Sequence, residues 1–273
     1  MKLRIEILLI IVLAWLNGRA QSSGIANEQD LYTMNKQVSQ FFSRFNYEEN
    51  SMGVKYLPTA PEYHNQNFRR QLLPLMFDQT NESITPQLRQ MFIDDMTSSA
   101  ANFFVFTGGR WYAEVTASFA QGNDHVDIVL NLAIEQAQAG SKWVITKVHF
   151  AQYEEMYNTD VSDRARTRMV LHPMSHEVDF MTMRNAFANA DYIQLYAKNT
   201  YEPDYLSLFL HDIKRQNLKF EYVKNVKLHV FQMKDWYFEI TNFNRPGSNS
   251  GWLISNLIYI PEADKPAIIK FYE

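Results

Sequence analysis

The sequence contains no cysteine. That excludes disulfide staples, thiolate nucleophiles and cysteine-ligated zinc or iron–sulfur sites, so stability must come from a packed core. It also excludes a lipoprotein, whose lipid is carried by a cysteine at the cleavage point. Membrane-spanning runs are missing as well. The apolar stretch Ile7–Leu16 covers ten residues, where a bilayer helix needs about twenty, and no later window is longer. Charge of one sign is not in excess either, with 26 basic against 30 acidic residues. A mixed surface disfavours phosphate-backbone binding, and the one basic cluster, Arg164, Arg166 and Arg168, reads as a solvated linker, so no nucleic acid is expected as partner.

Chemical motifs are scarce. There is no Gly-x-Ser-x-Gly elbow and no phosphate-cradling glycine loop. His172 and His176 are four apart, but Pro173 lies between them and breaks the helical spacing that a zinc pair needs. Neither a metal nor a cofactor is expected.

The chain's start carries the clearest signal. Lys2 and Arg4 precede the apolar run, and Gly18 and Ala20 stand at the −3 and −1 positions of a cut before Gln21. That order predicts a cleavable secretory signal over residues 1–20, with an uncleaved anchor as the alternative. Removing it changes the count to 23 basic and 29 acidic residues, a net of −6. The mature chain is then expected without a transmembrane segment, in the periplasm or outside the cell. Residues 21–30 read as a flexible leader.

Beyond the leader, hydrophobic spacing alternates between two periods. Helical spacing marks Leu31–Tyr47, Phe68–Phe77 with Pro74 inside it, and the segment from Pro86 to about Ala101. Period-two alternation marks Trp111–Phe119, Val126–Ile134 and Lys142–Phe150. Helical spacing then returns in Met174–Tyr196 and Asp204–Gln216, followed by strands near Tyr222–Gln232, Asp235–Phe243 and Gly251–Ile260. The last strands of the two halves compare directly, Ser141-Lys142-Trp143-Val144-Ile145-Thr146 against Ser250-Gly251-Trp252-Leu253-Ile254-Ser255. This predicts an α+β protein of two tandem cone-like modules, 31–155 and 174–273, each with N-terminal helices on a curved antiparallel sheet. Residues 156–173 would link them. One larger α+β domain with two similar edge strands is the alternative.

Helices followed by long alternating strands, a turn and Gly/Ser-x-Trp-(Val/Leu)-Ile resemble the nuclear-transport-factor-two-like superfamily, the cystatin-like α+β cone. The resemblance rests on Trp111–Phe119, Val126–Glu135 and Lys142–Phe150 in the first half, and on about Met174 to Ile260 in the second. It implies a curved sheet over helices with a pocket at the wide end. Some members, such as ketosteroid isomerase and scytalone dehydratase, do acid–base chemistry there, and many others bind or dimerise. The family's motif does not map residue by residue onto this chain, so no role is carried over.

Glu114, Glu135 and His149 are the candidates for acid–base work, because a dry pocket lifts a carboxyl pKa. Thr116, Ser118 and Asn131 on the same sides favour a solvated face instead. The loop Asn242–Gly251 offers Arg245 as a fork for a carboxylate or phosphate, flanked by Phe243 and Trp252, unless it is a plain hairpin tip. The function expected is an exported, non-enzymatic binding or assembly module for an unknown small ligand or protein partner, alone or as a homo- or hetero-oligomer. The alternatives are a small-molecule lyase, isomerase or hydrolase with an acid–base pocket, and a structural component of an envelope assembly acting through segments such as Met181–Met183.

Overall fold

A computed structural model describes residues 37–98, 103–138, 140–157, 187 and 190–273. The expected signal and leader, the basic cluster, His172, His176, Met181–Met183 and the linker from residue 158 onward lie outside the described residues. By compactness the chain divides into two units, residues 1–79 with Phe243–Leu253, and Thr80–Asn242 with Ile254–Glu273. They are called here the helical unit and the sheet unit.

In the helical unit, α1 (Val38–Phe45) puts Phe41, Phe42 and Phe45 into the interior. Asn65 caps α2 (Gln66–Leu72), its side-chain oxygen accepting from the backbone of Asn67 and Phe68. The helix tightens into a 3-10 turn over Leu73–Met76, where Pro74 removes a donor and forbids regular continuation. Arg69 is fully buried, with its Nε donating to the Phe45 carbonyl at 2.7 Å and its guanidinium 5.0 Å above the Phe45 ring. Burial lowers its pKa to about 10.

The sheet unit opens with α3 (Pro86–Met96). Thr85 Oγ1 accepts from the Leu88 backbone at 3.2 Å, and Pro86 takes the first turn, where its missing N–H costs nothing. Strands β1 (Trp111–Gln121), β2 (Asp124–Ala137) and β3 (Gly140–His149) form one meander. After α4 (Ala151–Tyr157) and α5 (Tyr205–Arg215) come β4 (Lys219–Val230), β5 (Trp236–Phe243) and β6 (Gly251–Tyr259), then α6 (Lys265–Ile269). Asp204 caps α5 at its start, and Gln216 ends it in the left-handed conformation.

The two meanders do not close into a sheet each. They join through antiparallel β1 and β4 into one six-stranded sheet of order β3-β2-β1-β4-β5-β6, which corrects the expectation of separate sheets. The reason is elementary: a three-stranded meander leaves both edges with unpaired N–H and C=O groups, and pairing β1 with β4 satisfies one edge of each. The Trp143 and Trp252 segments thus stand on opposite outer strands.

Alternation gives the sheet two unlike faces. On one, Ala117, Phe119, Ile128, Leu130 and Val148 pack with Tyr153 of α4 and Phe209 of α5. Phe92 of α3 lies edge-on to Trp236 and Phe238 there, at 5.2 and 5.6 Å. On the other face, Tyr112, Phe231 and Tyr237 pack with Ile269 and Tyr272 of the C-terminal segment.

Candidate functional site

The second face carries the chain's densest set of chemically versatile groups among the described residues. Strand register assembles it. On β1 and β4, Tyr112 stands opposite His229 and Glu114 opposite Lys227; across β1 and β2, Glu114 is opposite Asn131; across β4 and β5, His229 is opposite Glu239. Directly opposed residues share a face, so these side chains have to meet.

Their hydrogen bonds form a chain. Tyr237 Oη donates to Glu239 Oε1 at 2.7 Å, and His229 Nδ1 lies 2.8 Å from the same phenol oxygen. Because that phenol proton is committed to a carboxylate, Nδ1 must be the donor in the second contact. Tyr272 Oη lies 3.1 Å from Nδ1. In the neutral ring this leaves Nε2 bare. Nε2 sits 3.3 Å from Glu114 Oε2, an ion pair when the ring is protonated, and in the neutral form with the proton on Nδ1 it has no hydrogen-bond partner. His229 is 3% exposed. Lys227 Nζ lies between the two carboxylates, 3.9 Å from Glu114 and 3.7 Å from Glu239.

Asn131 is fully buried beside Glu114. Its Nδ2 approaches His149 Nε2 at 3.3 Å and the Phe271 carbonyl at 3.5 Å, while its Oδ1 finds no partner. The β2–β3 register slips between Asn131 and Leu132, and the extra residue this inserts, Thr146, sends its hydroxyl to the Tyr272 carbonyl at 2.6 Å. Such bulges re-aim side chains locally. The C-terminal segment is strapped across the face by further contacts. Phe271 stacks on His149 at 4.9 Å, Tyr272 stacks on Tyr112 at 5.3 Å, and Tyr112 Oη donates to Glu273 Oε1 at 2.8 Å. Lys265 holds the strap's root, buried, with Nζ donating to the Phe231 and Met233 carbonyls and to Glu262.

The electrostatics follow from this packing. The Glu114 carboxyl is held below the usual carboxylate range, first by hydrogen bonding from the His229 ring when Nε2 carries a proton and then by the charges of Lys227 and His149, against burial, which pushes the other way. Burial lowers His149, with Lys147 helping and Glu154 and Glu114 opposing. Burial raises Tyr237 and Tyr112, and their carboxylate acceptors add to it, so both stay protonated donors. Tyr272 rises to about 12, chiefly through burial.

The sequence candidates separate cleanly. Glu114 and His149 enter this cluster. Glu135 does not: its side chain is 56% exposed and pairs with Lys142 at 3.1 Å on the rim. In the helical unit the Arg245 guanidinium lies 4.6 Å over the Phe243 ring, donates to Asp78 at 2.6 Å, and sends Nε to the Asn249 carbonyl at 2.6 Å. Its fork is therefore engaged within the unit, and Trp252 is half-buried at the start of β6. The residues not anticipated are Lys227, His229, Tyr237, Glu239 and Tyr272. A signal existed for four of them. Lys227-Leu228-His229-Val230 and Tyr237-Phe238-Glu239-Ile240 alternate polar and apolar on adjacent strands, which places all four polar groups on one face.

Among the described residues no group of three or more His, Asp and Glu is arranged to hold a metal ion, and no helix is long and apolar enough to cross a membrane. No protein-family model, curated protein or solved structure matches the chain.

Proposed function

We propose that this chain is an exported binding module whose recognition site is the polar face of the sheet unit, taking a small ligand that presents a primary ammonium. One observation carries the reading: Asn131 Oδ1 and His229 Nε2 are buried without hydrogen-bond partners next to the part-exposed Glu114 carboxylate. A buried polar atom left unsatisfied costs about 1–3 kcal/mol, and a ligand bringing donors would recover that cost. Two carboxylates, Glu114 and Glu239, face a single ammonium, Lys227, so local charge favours a cationic donor over an anion. The exposed Phe271 ring supplies a face for the ligand's body. Export is supported by the layout of residues 1–20. A relation to the cystatin-like cone superfamily, and an origin of the two meanders by duplication, are supported by the order of helices and strands and by the paired Trp segments.

Calorimetric titration with propylamine and with propionate tests the reading. Propylamine should bind, and Glu114→Gln should weaken it about tenfold, equivalent to about 1.4 kcal/mol. Equal binding of propionate, or an unchanged affinity in the variant, overturns it.

A second reading, acid–base catalysis by Glu114, is favoured by the Glu239–Tyr237–His229 chain, which orients the ring toward that carboxylate as a base is oriented in catalytic triads. Here Glu114 would exchange protons with substrate and His229 would be a positioning residue. It predicts that Glu239→Gln, which acts on the ring through Tyr237, shifts the pH profile of turnover as well as its rate.

A further inference from the structure

The helical unit holds a cavity of about 120 Å³ whose apolar lining is Leu72, Leu75 and Met76. Its polar lining is Arg44, Ser51, Gln79, Ser248 and Asn249. Every charge around it is already matched. Arg44 Nε donates to Glu49 Oε1 at 3.1 Å, with both side chains almost wholly buried, and Arg44 also reaches the Ser51 carbonyl at 3.3 Å. Arg245, next to the cavity, is neutralised by Asp78 at 2.6 Å. The Asn249 amide is engaged too: its Oδ1 accepts from the Gln79 backbone and from Arg245, and its Nδ2 donates to the Phe77 carbonyl. The remaining polar lining is uncharged, the hydroxyls of Ser51 and Ser248 and the side-chain amide of Gln79.

We infer that this cavity is a ligand site for a short neutral amphiphile, an alkyl amide or alcohol, and not for an anion. An apolar cavity of about 150 Å³ accepts benzene, so this one, partly open at its mouth, has room for about five to six non-hydrogen atoms. Leu72 and Met76 take the alkyl part, and the Ser248 and Gln79 groups take the head. A carboxylate entering here finds no uncompensated cation and would be stripped of water without repayment. An ammonium meets the same difficulty, because Glu49 and Asp78 are both spent. The recognition loop read from the sequence thus contributes through Ser248 and Asn249, while Arg245 acts as its internal brace.

The test is a titration of the whole chain with butyramide, 1-butanol, butyrate and butylammonium, followed by the methyl resonances of Met76 and Leu72. Butyramide and butanol should shift these methyls saturably, with Kd of about millimolar order for so few atoms. Butyrate and butylammonium should bind at least about tenfold more weakly. Ser248 is exposed, so Ser248→Trp should block the mouth and abolish the shifts without loss of fold. Equal or tighter binding of either ion, no saturable shift up to about 50 mM amide, or shifts that persist in Ser248→Trp would overturn the inference.

Discussion

The two faces of the sheet unit are made by the same strands and solve burial in opposite ways. On the helix side, Trp236, Phe238, Ile240, Leu228 and Val230 are removed from water almost completely, and the polar atoms among its rings are matched, Trp236 Nε1 donating to Asp95 at 2.8 Å and Trp111 Nε1 to the Phe106 carbonyl at 2.8 Å. Stability there scales with apolar area and with the absence of voids. On the strap side, Tyr112, His229, Tyr237 and Tyr272 are also largely buried, yet each carries a polar group that must be matched. Dispersion between rings holds that face together, and hydrogen bonding decides whether it closes. The difference teaches where to look for function: the apolar face has no spare capacity, and the polar face has two atoms' worth.

The largest effect should come from Trp236→Ala. Deleting a buried indole that packs on Phe92 should cost about 3–5 kcal/mol in urea-induced unfolding. His229→Ala should cost less, about 1–3 kcal/mol, through the hydrogen bonds that its Nδ1 makes to the tyrosine hydroxyls. If the two variants cost the same, the strap side is simply a second core and the contrast fails. Tyr272→Phe keeps the ring and loses one hydroxyl, so it should cost about 1 kcal/mol and leave the helix side's hydrogen-exchange protection unchanged.

Acid sharpens the contrast further. Glu114 and Glu262 have depressed pKa values in the folded state. Glu262, although burial pushes it up, is brought to about 2 by Lys265 and Arg110. Depressed carboxyls contribute stability that is complete above the unfolded value, about 4.3, and that is lost as pH falls through the folded values. His149 is likewise depressed, so its contribution is lost on acidification below its unfolded value of about 6.5. Stability measured against pH should fall first in the histidine window and again in the carboxyl window, and Glu114→Gln should flatten the second while deepening the first, because it removes a charge that holds the His149 pKa up. The smallest effect is expected at the rim. Lys142 and Glu135 are both more than half exposed, and Glu135→Gln should stay within about 0.5 kcal/mol at neutral pH.

Much of the fold was legible because local rules and burial agreed. Thr85-Pro86 announced α3, Asp204 announced α5, and alternation located all six strands. Pro74 marked where a helix had to change pitch. The joining of the halves was not legible, because strand pairing is a non-local choice and the pattern of β1 does not say which strand satisfies its outer edge. The strap was not anticipated for a related reason: which face Ile269, Phe271 and Tyr272 cover is also set by non-local packing. Glu114 and His149 were picked out as chemistry-bearing residues, but their polar neighbours pointed to solvent, and only the strap makes that face partly dry. Arg245 looked like a free fork because its partner, Asp78, lies far away in sequence.

Nitrogen-15 NMR of the His229 ring directly measures the unused hydrogen-bonding capacity beneath the strap. The prediction is a neutral ring protonated at Nδ1, with Nε2 bare in the free protein and shifting when propylamine is added. A ring protonated at Nε2, with that proton shared with Glu114 and unmoved by any amine, would make the cluster a closed ion pair that merely seats the tail.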